Sequence, residues 1–333
     1  MIVVRTPLRV TLGGGGTDLK SYYQHGGGFI FALALDKYIR VMCQRPLFDS
    51  RVTVTGPDNE VVERSADVKH KLIHAALIRH GIEDRFEIAS MADIAGGTGL
   101  GSSSCFLVGL LNAIHAMKGE TLSAQEIAEE ACDIEIGLQA SGIGKQDQYM
   151  ASFGGLTTLE IAPDGKIDVA RVALAPEIEN RFIERTHIYY TGLRRDAAVV
   201  LADQNSAMNE EGSGARKRVE NSLDFIRDLG YRILESWKSG DFDGWGHMLD
   251  EHWRHKKQLS AKISWPHIDE IYDRVRRDFN VLGGKVLGAG GGGFLMLYCA
   301  GDGEALEDFM ARNMMPRLRY GIDRAGSTII PGV

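Results

Sequence analysis

The sequence predicts an α+β fold in two domains, 1–176 and 177–333. Short alternating or apolar runs, which read as strands, dominate the first half. Candidate helices dominate the second half, and the change falls near Pro176. In addition, one very apolar segment, 105–117, opens at a loop of glycines and serines and reads as a helix buried at the centre of the first domain. A chain of 333 residues, 44% hydrophobic and 25% charged, is long enough to bury two cores.

From the N-terminus, 8–12 alternates, with Leu8, Val10 and Leu12 on one face and Arg9 and Thr11 on the other. This strand runs into four consecutive glycines, 13–16, then Thr17 and Asp18. Glycines lose much chain entropy on ordering, so four together point to a place where backbone must approach a ligand closely. Arg9 shares the direction of that loop, where a guanidinium can meet a phosphate or orient a carboxylate. Further strands are expected at 29–35, 41–44, 51–55 and 86–91, with a turn at Pro57, Asp58 and Asn59. A helix is expected over 69–80, with Leu72, Ala75, Ala76 and Arg79 near one stripe and Gly81 as its stop. His70, His74 and His80 are expected on its surface, with no acidic partner or third ligand at metal-site spacing.

The central stretch is Gly96, Gly97, Thr98, Gly99, Leu100, Gly101, Ser102, Ser103 and Ser104. Its glycines let backbone come close to a ligand that the hydroxyls then line. The helix that follows offers free N–H groups and the positive end of its dipole, which suit a phosphate. Gly109 within that helix predicts close packing against a neighbour.

Ser123 and Glu126 form a capping box for a helix reaching about Ile136, ended by Gly137. Ile127, Ala128, Ala131, Ile134, Glu135 and Leu138 share one stripe, so Glu135 faces inward. A buried carboxylate needs compensation, which leaves a structural ion pair or a magnesium ligand. Asp147 then begins a short segment anchored by Met150, Phe153 and Leu156. It reads either as a helix-capping residue or as a general base kept ionised by cations such as Lys145.

Strands are expected at 156–161 and 186–191, and helices near 197–208, 215–237, 245–260 and 268–279. Arg194 and Arg195 at a strand end could hold an anionic group or form a solvated turn. Gly288, Gly290 and Gly293 satisfy the dinucleotide pattern G-x-G-x-x-G. An apolar strand, 294–299, follows where that fingerprint requires a helix, and too few residues remain for a doubly wound sheet. The segment is expected to be a hairpin-like loop closing over the same site.

The net charge of −7 excludes a general nucleic-acid or anionic-membrane binder. No apolar run spans a bilayer or forms a signal peptide, so a cytoplasmic protein is expected. The four cysteines have no paired spacing and are expected as reduced, buried thiols without zinc.

The chain resembles the GHMP kinases, a family that includes galactokinase, homoserine kinase, mevalonate kinase and phosphomevalonate kinase. Arg5-Thr6-Pro7-Leu8-Arg9 with 13–18, then 97–103, then 287–293 stand in the order of that family's three motifs and span nearly the whole chain. Gly-Gly-Gly-Thr-Asp at 14–18 looks most like the sugar kinases of bacterial heptose metabolism, which act on D-glycero-D-manno-heptose 7-phosphate. One departure is Ala95 before Gly96, where the family usually carries proline.

The resemblance implies an N-terminal α+β domain with a left-handed βαβ crossover, a C-terminal ferredoxin-like domain, and ATP between them. It implies that 97–104 hold the ATP phosphates, that Ser103 and Glu135 hold Mg2+, and that Asp147 takes the proton of a sugar hydroxyl. Arg9 would stabilise Asp147 and the transferring phosphoryl group. Gly15, Gly16, Thr17 and Asp18 would meet the sugar, and Gly290, Gly291 and Gly292 would shape the site. Arg194 and Arg195 are expected at the distal phosphate of a sugar-phosphate acceptor. Monomer and homodimer both remain open.

Overall fold

β1 (Ile2–Gly13) begins six residues before the alternating run at 8–12, and its second half is buried on both faces, with Arg9 and Thr11 nearly as enclosed as their apolar neighbours. In the computed structural model, which describes residues 1–140, 142–194, 197–210 and 212–331, β1 pairs along most of its length with β2 (Gly28–Gln44). A short helix, α1 (Lys20–Gly26), lies between them and was not expected. β2 merges the two strands predicted at 29–35 and 41–44.

β3 (Val52–Thr55) and the unexpected β4 (Glu60–Val62) form a hairpin. α2 (Lys71–Arg79) then leads to β5 (Phe86–Ala92), which runs parallel to β3, a βαβ unit. α2 buries Ile73, Ala75, Ala76 and Leu77, whereas Arg79 turns outward to Glu130 and Asp133. The expected stripe is therefore rotated by about one residue.

α3 (Ser102–Met117) is the buried central helix, packed on β1 and β2. A Cβ on Gly109 would stand 2.9 Å from the Thr6 hydroxyl and 3.1 Å from Val41, so the expected close approach is present. α4 (Ala124–Cys132) carries the Ser123–Glu126 capping box. Its continuation, Asp133–Leu138, is a π-helical turn, whose wider winding leaves Leu138 exposed while Ile134 and Glu135 stay buried. α5 (Gln146–Phe153), β6 (Leu156–Ile161) and β7 (Ile167–Arg171) complete this half. β2 is the hub of the sheet, since its first half pairs with β6 and its second with β5.

α6 (Pro176–Arg185) opens the second half, followed by β8 (Thr186–Tyr190), α7 (Ala197–Asn209), α8 (Gly214–Ser239), α9 (Phe242–Lys256) and α10 (Pro266–Asp278). β9 (Val281–Val286), β10 (Phe294–Cys299), α11 (Gly303–Arg312) and β11 (Arg317–Leu318) come next. The four strands form an antiparallel sheet in the order β11-β8-β10-β9. Numbered within the sheet that order is 4-1-3-2, with helices joining the first strand to the second and the third to the fourth, a ferredoxin-like arrangement. β9 and β10 pair antiparallel across residues 287–293, so the dinucleotide pattern there lies in a hairpin. β12 (Thr328–Ile329) returns to pair with β1.

The two halves share a core. Trp237 of α8 meets Phe31 of β2 edge to face at 5.3 Å. Further along α8, Gly230 approaches so closely that a Cβ on Gly13 would stand 3.1 Å from its Cα. This contact sets the first glycine loop against the second half of the chain. The cysteines are free and buried, as expected. No helix among the described residues is long and apolar enough to cross a membrane.

Candidate active site

A cavity of about 640 Å³ lies between the two halves, and all three glycine segments reach it. Gly15, Gly16 and Asp18 come from the first, Gly97, Gly99, Gly101, Ser102, Ser103 and Ser104 from the second, and Gly288 with Ala289 from the third. Gly99 and Gly288 touch: a Cβ on Gly288 would stand 2.6 Å from the Gly99 Cα. Gly97, Gly99 and Gly101 adopt positive φ, a conformation that disfavours any side chain. The loop delivers the first turn of α3 to the cavity without a side-chain cap, so its N–H groups remain available to a ligand.

β1 supplies the cavity's organising cation. Arg9 is 3% exposed, and its Nε donates to Asp147 Oδ1 at 2.6 Å while Nη1 donates to the Gly99 carbonyl at 2.7 Å. Its backbone N–H also bonds the Leu100 carbonyl. One residue thereby fixes both the glycine loop and the first turn of α5. Lys145 is not Asp147's partner, because its ammonium is drawn off to the Gly165 carbonyl and toward Glu129. Asp147 lies within the first turn of α5 rather than at its cap.

Asp18 accepts from the Gln146 backbone N–H at 3.0 Å. Burial pushes its carboxyl up to about 6, against the opposing pull of that hydrogen bond and with added repulsion from Asp147. Gly144 is required beside it, since a Cβ there would overlap the Asp18 carboxylate. Thr11 Oγ1 donates to Gln146 Oε1 at 2.7 Å, so Gln146 joins both polar groups.

Glu135 accepts from Ser103 Oγ at 2.6 Å, Ser104 Oγ at 2.7 Å and Gln148 Nε2 at 2.8 Å. No cation among the described residues pairs with it, which disfavours the structural ion pair. Burial raises its carboxyl above the ordinary range, while the three donors pull it back. Nearby, Ser102 Oγ and Gln148 Oε1 are buried without partners. A hard cation with oxygen ligands fits this set of donors.

Several expected residues stand away from the cavity wall. Thr17 is fully buried, and its hydroxyl bonds the Gly14 and Phe29 carbonyls and the Phe29 N–H, closing the loop on itself. Thr98 donates to the Ala95 carbonyl, and Leu100 is a core residue. Gly290 packs on Ile263 and the Gly291 N–H bonds the Ile263 carbonyl, so these two brace the third loop from behind, and Gly292 is likewise absent from the cavity wall. Arg194 is exposed at the cavity's edge, and Arg195 lies outside the described residues.

His252, Lys256 and Lys285 line the cavity and were not anticipated. A signal existed: His252 and Lys256 share a stripe with Leu249 and Trp253 on α9, and Lys285 interrupts an otherwise uncharged strand. The expectation for the histidines also needs correction. His80 Nε2 lies 3.2 Å from Glu130 Oε1, and His115 Nε2 lies 2.7 Å from Glu130 Oε2, so helix packing supplies the partners that linear spacing concealed.

The family model for the N-terminal domain of GHMP kinases matches residues 67–155, and that for the C-terminal domain matches 233–316. Shikimate kinase of Archaeoglobus fulgidus is 30% identical over 224 residues, covering 65% of this chain and 72% of that protein. The chain belongs to the GHMP kinases. D-glycero-alpha-D-manno-heptose 7-phosphate kinase of Campylobacter jejuni is 28% identical over 310 residues, 89% of each chain. L-fucokinase/L-fucose-1-P guanylyltransferase of Bacteroides fragilis is 26% identical over 88% of this chain and 34% of that one. Among solved structures, a D-glycero-D-manno-heptose 1-phosphate kinase of Bacteroides thetaiotaomicron superposes with a TM-score of 0.81 at 20% identity, covering 100% of both chains. This GHMP kinase therefore has the two-domain α+β fold of its family, whose members use ATP as substrate.

Proposed function

We propose that this sugar kinase transfers the γ-phosphoryl group of ATP to the anomeric hydroxyl of a heptose 7-phosphate, a precursor of surface glycans such as lipopolysaccharide. The observation that carries the reading is the Arg9–Asp147 pair, set where three glycine segments meet in one cavity. Similarity to the Campylobacter jejuni heptose 7-phosphate kinase over 89% of each chain supports the choice of acceptor. We place the protein in the cytoplasm, where ATP is available, and assign residues 1–176 and 177–333 as its two domains.

In this reading the amides of residues 97–104, with the N-terminus of α3, hold the nucleotide's phosphates. Ser103 and Glu135 are the residues that would hold Mg2+, which when bound neutralises charge on the phosphates. Asp18, with the backbone at Gly15 and Gly16, accepts hydrogen bonds from sugar hydroxyls. Asp147 takes the proton of the attacking hydroxyl as the new O–P bond forms and the bond to ADP breaks. Arg9 keeps Asp147 in place and meets charge on the transferring group. Such a site acts by positioning and electrostatics, as phosphoryl transfer requires.

An ADP-release screen tests this with heptose 7-phosphate, galactose, fucose and mannose. Turnover fastest with heptose 7-phosphate is the expected result. Preference for galactose or fucose would replace the acceptor, and NADH binding without ADP release would replace the chemistry.

A further inference from the structure

The second half of the chain contributes three buried nitrogen-bearing side chains to the cavity. His252 is 1% exposed, Lys285 2% and Lys256 7%. All three line the cavity. Both ring nitrogens of His252 are buried without a hydrogen-bond partner. Lys285 Nζ has one long contact, 3.5 Å to the Leu12 carbonyl. Lys256 Nζ donates to the carbonyls of Val286 and Gly288 at 2.8 and 2.5 Å. Neither lysine pairs with a described carboxylate. Two buried ammonium groups beside Arg9 with no counter-charge are costly unless an anion joins them.

We propose that His252, Lys256 and Lys285 form the seat for the phosphate that the acceptor sugar already carries before the reaction. The inference rests on the sugar-kinase reading above and specifies why that enzyme takes a sugar phosphate rather than a free sugar. In the reading above the nucleotide's phosphates have donors of their own, the amides of residues 97–104 and of the uncapped N-terminus of α3. Lys285 reaches instead to Leu12, the neighbour of Thr11, which holds Gln146 and through it the Asp18 side of the cavity. A phosphate there provides acceptor oxygens for both ammonium groups and for the imidazole, and charge-assisted bonds of this kind are the strong ones. Burial, with repulsion from Arg9, lowers both lysines from their ordinary value, Lys256 to about 7, and Lys256 adds to the repulsion on Lys285. A bound dianion would restore their charge. The seat differs from the pair expected in the sequence, since Arg194 stands exposed at the rim.

The test compares heptose 7-phosphate with the dephosphorylated heptose in wild type, Lys285→Met, Lys256→Met and Arg194→Gln, with KM for ATP measured in each. Wild type is expected to prefer the phosphorylated sugar. Each lysine variant is expected to reduce that preference, as a ratio of kcat/KM values, about tenfold or more, with KM for ATP within about twofold. Lys285→Met is also expected to melt at or above wild type, because it removes a buried polar amine that has only one long hydrogen bond. A retained preference overturns the proposal. So does a rise in KM for ATP without loss of preference, which would assign the lysines to the nucleotide, or collapse of the preference in Arg194→Gln alone. Calorimetric titration with inorganic phosphate separates this inference from the reading beneath it. Phosphate binding that the lysine variants lose, in a protein that turns over neither sugar, keeps the seat and overturns the acceptor. Absence of phosphate binding together with absence of preference overturns the seat.

Discussion

Arg9 and Asp147 are 138 positions apart, yet the Arg9 guanidinium bonds the Asp147 carboxylate at 2.6 Å and the Gly99 carbonyl at 2.7 Å. The forked geometry of arginine lets one buried side chain span the Asp147 carboxylate and the glycine loop. Positioning of the Asp147 carboxylate and positioning of the central glycine loop are thereby coupled.

Asp147→Asn keeps the shape and removes the capacity to take a proton. Turnover is expected to fall by about 10²–10⁴-fold, the usual contribution of a general base, while nucleotide binding persists. Steady-state kinetics with an ATP-binding titration checks this, and near-normal turnover would remove Asp147 from the proton transfer. Arg9→Lys is expected to lower kcat and raise KM for ATP together, because an ammonium cannot reproduce the fork.

Glu135→Gln tests the proposed magnesium site. The carboxylate is buried, takes three hydroxyl or amide donors and has no cationic partner among the described residues. The variant is expected to raise the magnesium concentration for half-maximal activity about tenfold or more, since a neutral amide is a poorer ligand for a hard cation. An unshifted requirement would leave Glu135 with only its three donors as a role.

The three glycine segments and the central helix were legible in the sequence because glycine clusters and an all-apolar helix are local signals. So was the capping box at Ser123. The α2 stripe, the partners of His80 and the exposure of Leu138 were not, because each depends on how one helix winds or sits against another. Thr17 shows the same limit at the site: its place in the motif was readable, but not the fact that the Phe29 backbone consumes its hydroxyl. Lys285 was written in the sequence as a charge inside an apolar strand, although only the fold reveals that it has no counter-ion among the described residues.

Thr17→Val should therefore act on stability. Removing a buried hydroxyl that serves two carbonyls and one N–H is expected to cost about 1–3 kcal/mol. Denaturant unfolding would measure the loss, with KM for the sugar changing little in the folded fraction. A large rise in KM at unchanged stability would return Thr17 to the sugar.

Gly99→Ala should act on the nucleotide. Gly99 has φ +80°, and a Cβ there would stand 2.8 Å from the Leu287 carbonyl. Both the backbone strain and this contact push the second and third glycine loops apart. KM for ATP is expected to rise about tenfold or more, with a smaller effect on the sugar.

Asp18 gives the protein a pH signature. Burial holds its carboxyl at about 6, above the ordinary value of 3.8. The folded state thus binds this proton more tightly than the unfolded chain does. The resulting stabilisation is complete below the unfolded value and is lost as pH rises through about 6. Asparagine has no such proton to lose, and its side-chain oxygen can still accept from the Gln146 N–H. Asp18→Asn, measured without ligands, is expected to melt above wild type at about pH 8, with the gap shrinking through about pH 6 and nearly closing at about pH 4. Thermal unfolding across that range decides the matter, and a gap independent of pH would show that the Asp18 carboxyl is not raised.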